Sequence, residues 1–300
     1  MIISYNKGSE DSHGISINGM IGKPAKVTEL INRGFINATS TGGESYGIAT
    51  FVSVEIDKLT NDGLIRGTTR ATGEKNGYGL KVFFGSKVNS LTNDGLVIGT
   101  AVGGEGYGIE IKNSKDFSDS SAVNVENIKN NGIIKGTSTG KKGYGIFIGD
   151  SVDGGLVSVG KILNNGIISG SSSVENGYGI SVGSNDLGIV GQIENNGIIS
   201  GNGSVDSGSS SGICIKETGS KISEMVNKGI IYGKDYAISV DTGTIENANN
   251  YGILVSNIDN GDVTSGCGII DPDSGSSGAN AIKNYGLAFT FSWGKYEKKT

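Results

Sequence analysis

The side chains able to do chemistry are few, and their spacing is peculiar. Asp62 and Asp94 each stand between an Asn and a Gly in a recurring triplet, and Arg33 holds the same place one copy earlier. If successive copies stack as neighbouring strands do, the two carboxylates fall about 5 Å apart, near enough for a calcium ion to bridge them. The plainer expectation is a solvated pair, with Arg33 relieving part of the repulsion. A second acidic pair, Asp271 and Asp273, brackets Pro272 in a turn sequence. Glycoside hydrolysis needs two carboxylates across the scissile bond, and a lyase would add a base such as arginine. The chain offers Arg33, Arg66, Arg70 and a lone histidine, His13. No Ser-His-Asp set can be built around a histidine outside the regular coils. Cys214 and Cys267 match neither a metal spacing nor a disulfide framework and read as unpaired thiols.

What must position these groups is a repeat. Its first anchor is apolar-x-Asn-x-Gly-apolar-apolar, with Asn32, Asn61, Asn93, Asn130, Asn164, Asn195, Asn227, Asn250 and Asn284 each two residues before a glycine. Its second is Gly-Tyr-Gly-Ile, as in "SYGI" at 45–48, "GYGL" at 77–80 and "GYGI" at 106–109, 143–146 and 177–180. Weaker copies are "SHGI" at 12–15, "SSGI" at 210–213, "DYAI" at 235–238 and "GCGI" at 266–269. From first-anchor to second-anchor glycine the distance is 13 residues in four copies, Gly34 to Gly47 among them. Successive first anchors lie between 23 residues (Gly229 to Gly252) and 37 residues (Gly95 to Gly132) apart. Part of each repeat is therefore fixed, and the excess length belongs in one variable loop.

Each second anchor runs into two-residue alternation, as in Ile109 and Ile111 against Glu110, or Leu80 and Val82 against Lys81. That pattern predicts a strand with one apolar and one solvated face. No helical period is found. The expected fold is all-β, a parallel β-helix or β-solenoid of about eight or nine coils with Asn and Tyr ladders. Ile168 would stack on Ile199 and Ile231 inside, and the nine asparagines would bond along the stack as amides do in cross-β structures. The anchor glycine is expected to take a positive φ at its corner. Tyr46, Tyr78, Tyr107, Tyr144 and Tyr178 would form an aromatic ladder. Residues 1–29 read as an incomplete first coil, 30–286 as solenoid repeats, and 287–300 as a terminal strand with a polar tail.

Composition narrows the function classes. With 53 glycines and only 2 prolines among 300 residues, the chain is neither collagen-like nor a proline-rich linker. A net charge of -5 without a basic face argues against nucleic acid. The opening "MIISYNKGSE" lacks a basic segment followed by an apolar run, so no signal peptide is expected in this chain. No stretch reaches the roughly 20 apolar residues of a membrane helix, and no membrane insertion by this segment is expected. Asn37 and Asn202 match the glycosylation acceptor pattern, which is too short to weigh in a chain so rich in Gly and Asn.

The segments "INRGFI", "LTNDGLI", "IKNNGIIKG" and "ILNNGIISG", together with "GYGI", resemble the passenger repeats of large bacterial autotransporter adhesins from fusobacterium-like anaerobes. The resemblance spans about residues 12–286. It implies a right-handed parallel β-helix displayed at the cell surface or outside the cell, within a longer protein, and carrying adhesive loops. The expected partners are a host protein, a glycan or neighbouring bacterial cells. The loops at 112–127, 149–161 and 200–212 are the first places to look for binding. No catalytic, cofactor-binding or metal-binding residue is assigned. A β-helix polysaccharide lyase or hydrolase is the alternative, and a purely structural spacer the second alternative.

Overall fold

The computed structural model describes residues 1–113, 122–149, 156–183, 187–204, 209–257 and 282–291. All regular structure among them is β. One coil shows the plan: Ile133–Ser138 lies in a first sheet, Gly143–Gly149 in a second and Val157–Asn164 in a third. The chain then enters the first sheet again at Ile167. Three sheets of ten, eight and nine strands result, each paired with the strand one coil away. Every such pairing is parallel and in register, with Ile134 opposite Ile168, Tyr144 opposite Tyr178 and Asn130 opposite Asn164. The fold is a parallel β-solenoid.

Register follows from what each column buries. Ile168, Ile199 and Ile231 stack as expected and are fully buried. The third sheet adds Leu59, Leu91, Ile128, Ile162 and Ile193, and the second Ile109, Ile146 and Ile180. Each such side chain contributes roughly 1.5–3 kcal/mol by leaving water. A slip of one residue would turn every one of them outward, so the alternative registers are strongly disfavoured.

The asparagines from Asn32 to Asn250 line the interior at the corner between the third and first sheets, and Asn284 is exposed at the end of the row. Each amide Nδ2 donates to the Oδ1 of the next, from Asn32 to Asn61 (2.7 Å), through Asn130 to Asn164 (2.8 Å), to Asn250 and Asn284 (2.7 Å). The second amide proton is used as well: Asn130 also donates to Ile167 O at 3.1 Å and Gly132 O at 3.2 Å. A buried amide without these partners would be costly.

Two expectations change here. The corner glycines do not have positive φ; among the described residues that region holds Gly22, Gly85, Gly183 and Gly219, with Ser53, Phe84 and Glu217. Glycine is needed at the corner for close approach instead. A Cβ on Gly166 would run into the carbonyl of Gly132, and one on Gly63 into that of Gly34, whereas Gly34 itself meets nothing. The strands of the second sheet from Ser45–Thr50 to Gly177–Val182 are also not half solvated. Gly106–Lys112 is buried at every position before Lys112, Glu110 included.

Corner lengths differ sharply. Between third and first sheets the connection is always an Asn-x-Gly exit, as from Asn130 to Ile133 or Asn227 to Ile230. Around the second sheet they vary. On its entry side they run from Gly233–Tyr236 to Asn202–Ser211, and on its exit side from Thr50–Val54 to Lys112–Val123. One variable loop was expected; two variable corners are found, and both flank the second sheet. Residues 1–29 hold Ile2–Asn6, Ser12–Ile17 and the start of Ala25–Asn32, the outermost strands of the three sheets. Leu287–Phe291 pairs in parallel with Ile253–Asn257 at the far end of the first. Trp293 and the lysine-rich tail lie outside the described residues.

Candidate functional site

The outer wall of the second sheet carries the side chains with the most chemical potential. Strand alternation slips at the second-anchor glycine. A Cβ on Gly79 would point inward, 2.7 Å from Val97 Cγ1, yet Leu80 also faces the core. Two inward positions in succession put Tyr78 on the same side as Lys81, whose Nζ lies 4.4 Å from the Tyr78 ring centre. The tyrosine rings thereby roof the column that alternation alone would leave in water. That roof explains the full burial of these strands.

The rings stack face to face along the solenoid. His13 lies 4.7 Å from Tyr46, and the next centroid distances are 4.8 Å to Tyr78, 5.2 Å to Tyr107, 5.0 Å to Tyr144 and 5.4 Å to Tyr178. Phe147 meets Tyr144 edge-on at 5.1 Å. Parallel in-register strands impose this spacing, which falls within the favourable range for offset rings. Four of the hydroxyls are bonded: Tyr46 donates to Glu44 and Tyr107 to Glu105, while Asn76 and Asn176 donate to Tyr78 (3.0 Å) and Tyr178 (2.9 Å). Burial, reinforced by Glu105 and Glu110, holds the Tyr107 hydroxyl well above its ordinary pKa, so the ring stays neutral.

Beneath the rings, Lys81 Nζ is 2.9 Å from Glu110 Oε2, with the two side chains only 11% and 3% exposed. Pairing across adjacent coils is what permits these charges to be buried. At the N-terminal end, burial pulls the His13 pKa below 6.5 against the opposing fields of Asp11 and Glu44.

Among the described residues the column is interrupted once. Ser211 sits opposite Tyr178 where another tyrosine would stand, and Tyr236 follows in the next coil. Ser209, Cys214, Lys216, Tyr236, Ser239 and Asp241 line a cavity of about 220 Å³ there. Lys216 Nζ donates to Tyr178 Oη at 2.9 Å and lies 4.6 Å from the centre of that ring. Burial opposes the Lys216 charge, but Cys214, Tyr178 and Asp241 outweigh it and raise the pKa. Burial pushes the Cys214 thiol up to about 11, so at neutral pH it is a bonded thiol and not a nucleophile.

The groups singled out from sequence lie elsewhere. Asp62 faces Arg33 (Nε to Oδ2, 3.6 Å) at the fixed corner, and both are exposed. Asp94 instead accepts from Asn131 Nδ2 at 2.6 Å, and Asn165 and Asn196 extend the same outer row at 2.8 and 2.9 Å. Among the described residues no group of three or more His, Cys, Asp or Glu is placed to hold a metal ion. Arg66 and Arg70 are exposed on and just beyond the first-sheet strand Leu64–Thr69. Asn37 is half-buried in its strand and Asn202 exposed at the end of another. Cys267, Asp271 and Asp273 lie outside the described residues, as do the centres of the loops at 112–127, 149–161 and 200–212. Sequence reading missed the Lys81–Glu110 pair and the cavity. The available signal for the cavity was "SSGI", the copy in which the tyrosine is a serine while the glycine and isoleucine remain.

No protein-family model, curated protein or solved structure matches this chain.

Proposed function

We propose that the chain is a non-catalytic passenger-type segment of a surface-displayed bacterial protein, contacting host proteins, glycans or neighbouring cells through its variable loops. The observation that carries this reading is the placement of variable length. One corner is held to Asn-x-Gly in coil after coil, while both corners beside the second sheet differ from coil to coil. A rigid scaffold with tolerant loops gathered around one wall suits recognition, because loops accept sequence change that a packed column does not. The sequence motifs shared with autotransporter passenger repeats support the same reading.

Adhesion of the immobilised chain to host epithelial cells and to bacteria tests it. Replacing residues 114–121 and 150–155 by short Gly-Ser linkers should abolish adhesion while the β-sheet circular dichroism is retained. Equal adhesion by the native and loop-replaced chains would sink the proposal. Release of new reducing ends or unsaturated sugars from polysaccharide during the assay would instead favour the lyase or hydrolase alternative.

A further inference from the structure

We propose that the gap in the tyrosine column at Ser211 is a subsite for one neutral sugar ring, the terminal residue of a glycan. This rests on the surface-binding reading above and names one ligand class for it. The cavity's volume of about 220 Å³ is the first argument. It lies below the roughly 300 Å³ at which sites for larger organic ligands begin, yet exceeds the roughly 150 Å³ that admits a benzene ring. One six-membered ring is the natural occupant.

The lining decides which kind of ring. A cation, Lys216, and an anion, Asp241, stand in adjacent coils, and the hydroxyls of Ser209 and Ser239 share the lining with Tyr236. Opposed charges give little net attraction for an ion, but they suit vicinal hydroxyls, which accept from an ammonium and donate to a carboxylate. Tyr236 supplies an apolar surface for the C–H side of the ring. An aromatic ligand is poorly served, because the Lys216 ammonium already occupies the Tyr178 face on which such a ring would stack. Lys216 is held there by its bond to Tyr178 before any ligand arrives, so little ordering cost remains on binding.

The test uses the full chain with labelled tyrosine rings, titrated by NMR with the methyl glycosides of glucose, galactose and mannose and, separately, with phenol. At least one glycoside should shift the Tyr236 signals saturably, with a millimolar dissociation constant. Asp241→Ala, at an exposed position, should weaken that binding about tenfold or more. Ser211→Tyr, which completes the column, should abolish it while the β-sheet signal persists. Should Ser211→Tyr fail to fold, Asp241→Ala decides alone. The proposal is overturned if no glycoside binds saturably, if phenol binds there and the sugars do not, or if binding survives Asp241→Ala undiminished. Adhesion that persists in Ser211→Tyr would remove the subsite and leave the loop reading intact. Glycoside binding without adhesion would do the reverse.

Discussion

Two ladders run along this solenoid, and they tolerate change very differently. The asparagine ladder is unbroken from Asn32 to Asn284 and inside as far as Asn250. The aromatic ladder is outside, begins with a histidine at His13 and loses a rung at Ser211. The contrast has a physical origin. An amide in a buried row serves as both donor and acceptor, so removing one orphans two neighbours. A ring in a stack has no such obligation: its loss leaves a space that water, a lysine or a ligand can fill. The inner ladder fixes the fold, and the outer one has room to acquire function.

Breaking the inner ladder at mid-length should cost most. Asn164→Ala strands the Asn130 amide proton and the Asn195 oxygen, at about 1–3 kcal/mol each, so thermal unfolding should fall steeply. Asn32→Ala breaks one bond of the ladder, the one to the Asn61 oxygen, instead of two and should cost about half as much. Equal losses at the two sites would contradict the reciprocal account of the ladder.

The buried pair in the outer wall comes next. Glu110→Gln leaves the Lys81 charge uncompensated and should destabilise by about 3–5 kcal/mol in denaturant titration. The double replacement Lys81→Met with Glu110→Leu should restore most of this, because two apolar side chains need no partner there. Failure of the double variant to recover would mean the pair does more than neutralise itself.

Smaller effects sharpen the same contrast. Gly166→Ala must push against the Gly132 carbonyl and should cost roughly 1–3 kcal/mol, whereas Gly34→Ala, with open space at its Cβ, should be nearly silent. The His13 end of the outer ladder should show the mildest change, and only with pH. Its folded pKa is depressed by burial, so the folded state holds fewer protons than the unfolded one between the two values. Stability is therefore fullest above the unfolded value near 6.5 and declines as pH falls toward the folded one. His13→Phe should flatten that slope, and a histidine titration midpoint at or above 6.5 would refute the burial argument.

The inner ladder was fully legible in the chain, since Asn164 and Gly166 recur in fixed relation and parallel stacking leaves an amide row few alternatives. The role of Gly166 was not. Sequence suggests a glycine for its φ, but here the nearest obstacle is another coil's backbone, and contacts between coils are invisible until the stack is built. Glu110 was misplaced for a related reason. Alternation assigns faces by counting, and the count slips at Gly108, so the tyrosines lie on the side of the polar column and cover it. The cavity was half legible: "SSGI" shows a missing tyrosine, but not that Lys216 and Asp241 close around the space.

The Asn-x-Gly corner bears on how the molecule answers force. Hydrogen bonds between coils run along the stacking direction, so tension applied at the two ends loads them directly, outermost coil first. Releasing the coil from Gly132 to Gly166 frees 34 residues, about 110–120 Å of extended chain, where the folded coil spanned only about 4.8 Å. Stretched between two anchored surfaces, the solenoid would lengthen in discrete steps and let the rest of the rod stay folded, a dissipative tether whose step size is set by each coil's own length.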